Sequence, residues 1–142
     1  MNLQWLQIRI AEEQDRRQRE DNIHRRLPSA LEELHGGLTE CLRAYTEVFG
    51  PRSASIHLVT GRVRIEVRDE VEGRWVTRSE IIIINDVKIP GFRIERSGEP
   101  YLVEVGVLAD DKLFYRDGED YVTLEEVTRR ILDRTLFPKL VE

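Results

Sequence analysis

The sequence contains a single cysteine, Cys41, and this scarcity excludes several classes of protein. An intramolecular disulfide is ruled out, and so is a metal centre built from several thiolates. The sequence shows no HxxxH or HxH spacing, so we expect neither a bound metal nor a cofactor. It also lacks the motifs of phosphate-binding loops, serine hydrolases and zinc hydrolases. The sequence therefore favours a protein without enzymatic activity.

Long hydrophobic runs are also missing. The longest uninterrupted apolar run is Ile81–Ile84, whereas a membrane-spanning helix requires roughly 20 apolar residues. The apolar residues near Met1 are not preceded by the basic segment of a secretory signal, so we expect a cytoplasmic protein. The 22 basic and 27 acidic side chains give a net charge of −5, and this balance weighs against a nucleic acid as partner, because phosphate binding needs a concentrated positive surface.

What the sequence does contain begins with a charged N-terminal arm, residues 1–27. Residues 11–26 are almost entirely polar and include neither glycine nor proline. Acidic and basic side chains recur four residues apart, a spacing that stabilises a helix. A helix without an apolar stripe projects into solvent or lies against a partner. The predicted pairs are Glu12–Arg16, Glu13–Arg17, Asp15–Arg19 and Asp21–Arg25.

The tip of this arm is apolar, and its spacing fits either a two-sided helix or a strand. An apolar tip on a polar shaft favours a hook that docks on another chain, and tryptophan is frequent at binding hot spots. The alternative is a tip that folds back onto its own domain, over Ile82 and Ile84. The apolar residues of the tip are Leu3, Trp5, Leu6, Ile8 and Ile10.

Residues 28–142 are predicted to form one domain, since their length suits a single core. Pro28 is expected to end the first helix, and a capping box of Ser29 and Glu32 predicts that a second helix begins there. That helix carries an apolar stripe with three- and four-residue spacing and ends at Gly50. Cys41 belongs to the stripe, so we expect it to be buried and unreactive.

From Ala54 the apolar period changes to two, which indicates strands joined by short turns. Short connections require antiparallel neighbours, and one of these turns is expected at residues 97–100. A second capping box, Thr123 and Glu126, opens a C-terminal helix. The fold class predicted is therefore α+β: two N-terminal helices, an antiparallel meander of five or six strands, and one C-terminal helix packed on the sheet.

The strand that contains Ile81–Ile84 presents apolar side chains on both faces of the sheet. One face can be covered by the helices, but Ile82 and Ile84 on the other require the N-terminal segment, a subunit partner or a ligand. The arginines of the strands, Arg78 among them, are expected on this second face, in ion pairs with glutamates. Exposed aromatic side chains, which RNA-binding sheets use for stacking, are not expected there.

Taken together, these patterns predict a non-enzymatic protein–protein interaction module: an adaptor, a chaperone-like protein or a complex subunit. Its partner is another protein or a second copy of the chain. The alternative is a small ligand-binding domain or enzyme with a pocket between sheet and helix, for which Glu104, His57 and Trp75 are the candidates. The predicted partner-binding residues are Leu3, Trp5, Leu6, Ile8, Ile10, Ile82 and Ile84.

Overall fold

The computed structural model describes residues 1–86, 88–96 and 100–138, and shows an α+β fold. A long helix precedes an antiparallel sheet, and a shorter helix follows it. Within the described residues, no helix combines the length and the apolar character needed to cross a membrane. The elements are α1 (Gln4–Phe49), β1 (Ala54–Val59), β2 (Arg62–Val71), β3 (Arg74–Asp86), β4 (Gly91–Arg96), β5 (Tyr101–Val107), β6 (Leu113–Asp117), β7 (Asp120–Val122) and α2 (Leu124–Leu136).

The prediction of two N-terminal helices is wrong, because α1 is one helix of 46 residues with Pro28 inside it. A proline within a helix costs about 3 kcal/mol, since it removes a hydrogen bond and crowds the preceding turn. Pro28 is exposed, whereas Leu27 and Leu31 on either side of it are buried in the core. Their packing offsets the cost and keeps the helix continuous. Ser29 therefore caps nothing.

The sheet has seven strands, not five or six, and they lie side by side in chain order. The strand that the sequence pattern did not predict is β7, which has three residues and pairs with β6 across the turn at residues 118–119. Each neighbouring pair is antiparallel, as predicted. The turn expected at residues 97–100 lies mostly outside the described residues.

Both helices cover the same face of the sheet, and the core lies between them and it. The second half of α1 contributes a leucine stripe that includes Leu34 and Leu38, and α2 contributes Val127 and Ile131. The sheet contributes the alternate residues of β2 to β5, among them Ile83. The opposite side of the sheet, called the open face below, carries no helix in the part of the chain that the structure describes.

The two ends of α2 are both capped by side chains. Thr123 Oγ1 accepts a hydrogen bond from Glu126 N at 3.1 Å, which confirms the predicted N-terminus. At the other end, Arg78 Nη2 donates to the carbonyl oxygens of Thr135 and Leu136, each at 3.1 Å. The prediction that Arg78 lies on the open face is wrong. A register shift after Val67 leaves Arg78 without a partner residue in the pairing of β2 with β3, and turns its side chain towards the helices.

Candidate functional site

The first part of α1 projects from the domain. The first hydrogen bonds between α1 and the loop before β6 come from Asn22 and Arg26, both to Asp111. Residues 4–21 precede these contacts and, apart from the partly buried Glu13, are exposed. At a rise of about 1.5 Å per residue this segment is roughly 27 Å long. Residues 1–21, which include the three residues before the helix begins, are called the arm below, in place of the predicted range 1–27.

Ion pairs within the arm support its helical state. Of the four predicted pairs only Glu13–Arg17 forms, at 3.1 Å. Arg16 pairs with Glu13 at 2.6 Å and with Glu20 at 2.7 Å, while Glu12 pairs with Arg9 at 3.2 Å. The predictions of Glu12–Arg16, Asp15–Arg19 and Asp21–Arg25 are wrong, because side chains on neighbouring turns offer competing partners. The hydrogen bond from Arg16, followed by that from Arg17, lowers the pKa of the Glu13 carboxyl to about 2. The polar shaft of the arm is thus stabilised by its own side chains, without help from a core.

The tip of the arm is helical, which settles the choice between helix and strand. It does not fold back onto the domain, because its apolar side chains are exposed: Trp5 is 65% and Ile8 52% exposed. At 100° per residue, Trp5 and Ile8 lie on one side of the helix, while the other three apolar side chains of the tip lie on the opposite side. The other three are Leu3, Leu6 and Ile10.

Ile82 and Ile84 lie on the open face, away from the arm and half-buried. Ile82 stands between Arg64 of β2 and Glu95 of β4 in the sheet register, and Ile84 between two arginines. Long charged side chains cover apolar neighbours with their aliphatic stems. The charged neighbours in the sheet therefore cover part of Ile82 and Ile84, for which the sequence predicted cover by the N-terminal segment, a partner or a ligand.

Of the arginines predicted on the open face, Arg64 and Arg68 pair with glutamates and Arg93 pairs with Asp86. Arg62 and Arg74 make no ion pair within the described residues, so the prediction holds only in part. Arg64 contacts Glu80 at 3.0 Å, and Arg116 contacts Glu104 on the neighbouring strand at 2.5 Å. The expectation that this face has no exposed aromatic residue is wrong. Tyr121 of β7 is exposed there, and the half-buried Phe114 of β6 lies beside it. Their ring centroids are 5.7 Å apart. Tyr121 lies in the three-residue strand that the sequence pattern missed.

A groove of about 930 Å³ runs between α1 and α2 on the solvent side of the helix layer. Its apolar part includes Tyr45, Val48, Phe49 and Phe137, and Val48 is 75% exposed. The Tyr45 ring lies 4.6 Å from that of Phe49 and 6.0 Å from that of Phe137, centroid to centroid. Four acidic residues and one arginine line the groove as well: Glu33, Glu40, Glu125, Asp133 and Arg129.

Cys41 lines this groove and is exposed, so the prediction of a buried cysteine is wrong. Over a long helix the 3.6-residue turn drifts against a strict three-and-four spacing. Leu42 therefore takes the place in the core that the spacing assigns to Cys41. Partial burial in the groove, together with the charges of Glu40 and Glu125, raises the pKa of the Cys41 thiol.

The three residues considered for an enzyme do not share a cavity. Glu104 is held by Arg116 on the open face. His57 lines a shallow depression beside Arg64 at the other end of that face, and Trp75 lies near Gly50 at the end of α1. Among the described residues, no three histidine, cysteine, aspartate or glutamate side chains are grouped closely enough to hold a metal ion.

The geometry thus offers three surfaces: the arm, the open face and the α1–α2 groove. Neither a family model, nor a curated protein, nor a solved structure matches this chain.

Proposed function

We propose that the chain is a non-enzymatic protein–protein interaction module, and that the arm is its binding element. The observation that carries the proposal is the exposure of five large apolar side chains at the end of a helix that projects from the domain. Exposed apolar groups gathered in one place mark interaction sites. The adaptor, chaperone-like and complex-subunit roles are all compatible with such an arm, and a cytoplasmic location remains a prediction.

Two features of the arm support a binding role. The shaft holds its own helical state through ion pairs such as Arg16–Glu20, so the tip is presented at a fixed distance from the domain. Trp5 and Ile8 form an adjacent pair three residues apart on one side of the helix, the spacing with which helices anchor in apolar grooves. A preorganised helix loses less entropy on binding than a disordered segment does.

The open face is proposed as a second, weaker contact surface through Ile82 and Ile84. Both side chains are half-buried among charged neighbours. A partner that covered them would also have to accommodate the arginines and glutamates around them. We therefore assign the main contact to the arm.

A photo-crosslinking amino acid at Glu12, which is exposed and lies one turn from Ile8 on the Trp5–Ile8 side of the helix, tests the proposal in the native host cell. We expect a discrete adduct that disappears when Trp5→Ala and Ile8→Ala are added. The matched control places the crosslinker at Val76, which is also exposed but lies on the sheet. Adducts at Glu12 no stronger than those at Val76, or adducts that survive the two alanine substitutions, would contradict a binding role for the arm.

A further inference from the structure

We infer that the arm's partner is a second copy of this chain, whose α1–α2 groove receives the Trp5–Ile8 side of the tip. The inference rests on the proposed function and adds to it the identity of the partner and the receiving site. Three observations carry it: the tip cannot reach the groove of its own chain, the charges of tip and groove are opposite, and both surfaces are apolar where they would meet.

The reach follows from the continuity of α1. Ile8 and Cys41 lie on the same helix, and at about 1.5 Å per residue they are roughly 50 Å apart. A kink at Pro28 redirects the arm but does not reverse it. The tip therefore fills such a groove only on another molecule. Each chain carries both a tip and a groove, so two copies can satisfy each other.

The charges are complementary. The groove has four acidic side chains and one arginine along its length, which leaves it with a net negative charge of three. Residues 1–11 contain Arg9 and no acidic side chain. Arg9 pairs with Glu12 at 3.2 Å, but both side chains are exposed, so this pair is weak and a partner's carboxylate can replace it. The first turn of α1 also lacks an acidic residue, so the positive end of the helix dipole is not neutralised there. An approaching tip is attracted by the groove, and a salt-dependent rate of association follows.

The apolar parts also correspond. Trp5 and Ile8 offer an aromatic ring and a branched side chain, the kind of anchor that fills pockets in protein interfaces. The groove offers Val48, Phe49 and Phe137, all of which are exposed in the isolated chain. The groove-lining part of α1, residues 33–49, is about 24 Å long, and the tip from Leu3 to Ile10 is about 10 Å long. The tip is therefore short enough to lie within the groove.

Complementation between two full-length variants tests the inference. Trp5→Glu damages the tip, and Val48→Lys damages the groove; both substitutions keep good helix formers at exposed positions. In sedimentation equilibrium, we expect the unmodified chain to associate, and each variant alone to associate about tenfold more weakly or worse. An equimolar mixture of the two variants should recover part of the association, because each mixed dimer has one contact between an intact tip and an intact groove, whereas each variant alone has none. Val76→Glu, a charged substitution on the sheet, serves as control and should associate normally.

Two results would overturn the inference. If Val48→Lys associates as the unmodified chain does, the tip docks elsewhere. If the unmodified chain stays monomeric at every concentration, self-docking fails, and the Glu12 crosslink decides the proposed function separately: an adduct with a different protein keeps the arm as a binding element, whereas no adduct removes both.

Discussion

The ring of Phe114 lies across Gly106 on the neighbouring strand, so closely that a Cβ at position 106 would fall 2.1 Å from Phe114 Cζ. The two residues are paired in the register of β5 and β6 on the open face. The absence of a side chain at Gly106 thus gives Phe114 its place beside Tyr121.

This relationship predicts strong coupling between the two positions. Gly106→Ala forces the Phe114 ring to move and should lower the free energy of unfolding by about 1–3 kcal/mol. In a Phe114→Ala background the same substitution should be nearly neutral, because alanine suits a strand at least as well as glycine does. Urea denaturation of the four variants of this cycle measures the coupling. Equal costs in both backgrounds would show that the ring is not the obstacle.

Asp86 is buried at the end of β3 and should make stability depend on acidity. It accepts hydrogen bonds from the backbone N–H groups of Lys88 and Ile89 at 2.8 and 3.0 Å, and pairs with Arg93. The bond from Ile89 is the largest of the effects that lower the pKa of Asp86 below its ordinary value of 3.8. A lowered pKa means that the carboxylate contributes its full stabilisation above the ordinary value, and loses it as pH falls through the folded-state value.

Asp86→Asn should therefore destabilise the domain by about 1–3 kcal/mol at neutral pH, since the amide keeps an acceptor oxygen but loses the ion pair with Arg93. The difference from the unmodified chain should shrink as pH falls from 3.8 towards the lowered folded-state pKa, because the unfolded chain binds a proton at Asp86 before the folded chain does. Denaturant titrations at several pH values check this. A difference that stays constant down to the folded-state value would exclude ionisation of Asp86 as its cause.

Pro28 lies on the exposed side of a continuous helix. Pro28→Ala restores a backbone donor and removes the clash with the preceding turn, so it should raise the free energy of unfolding by about 1–3 kcal/mol. Thermal denaturation measures the change, with Ser29→Ala as the neighbouring control. A loss of stability on Pro28→Ala would mean that the core requires a bend at this proline.

Cys41 should react in the native protein. Its side chain is exposed in the groove, so an aromatic disulfide reagent should modify it without denaturant. Because the pKa of its thiol is raised, the reaction at slightly alkaline pH should be slower than that of free cysteine, and should accelerate as the pH rises. The measurement uses dilute protein, where the groove is free. If Cys41 is modified only after the protein unfolds, its side chain is buried in the native protein, as the sequence predicted.

The local signals in the sequence predicted much of this fold. Alternation of apolar residues from Ala54 onwards correctly predicted strands joined by short turns, because a half-covered sheet imposes a period of two on any strand. Thr123 predicted the start of α2, because a capping hydroxyl acts through its immediate neighbours. Short turns were sufficient to predict antiparallel pairing.

Features that depend on distant packing were not predictable in this way. Leu27 and Leu31 are buried against a sheet made of residues later in the sequence. This burial outweighs the tendency of Pro28 to end a helix. The three-residue β7 is too short to show a period, and it exists because β6 offers an edge. The α1–α2 groove depends on how two helices from opposite ends of the chain meet, and no spacing in either helix encodes that meeting.

The strict chain order of the seven strands has a consequence for synthesis on the ribosome. Every strand can pair with the one made just before it, so the sheet can grow while the chain is emerging. The helix α1 is made first, yet it packs on β1, β3 and β5. Synthesis proceeds at about 5–20 residues per second, so several seconds pass between the synthesis of Leu38 and that of β5. During this time no complete sheet covers the leucine stripe of α1. The nascent chain is therefore most vulnerable to aggregation, and most dependent on a chaperone, before the middle of the sheet has emerged.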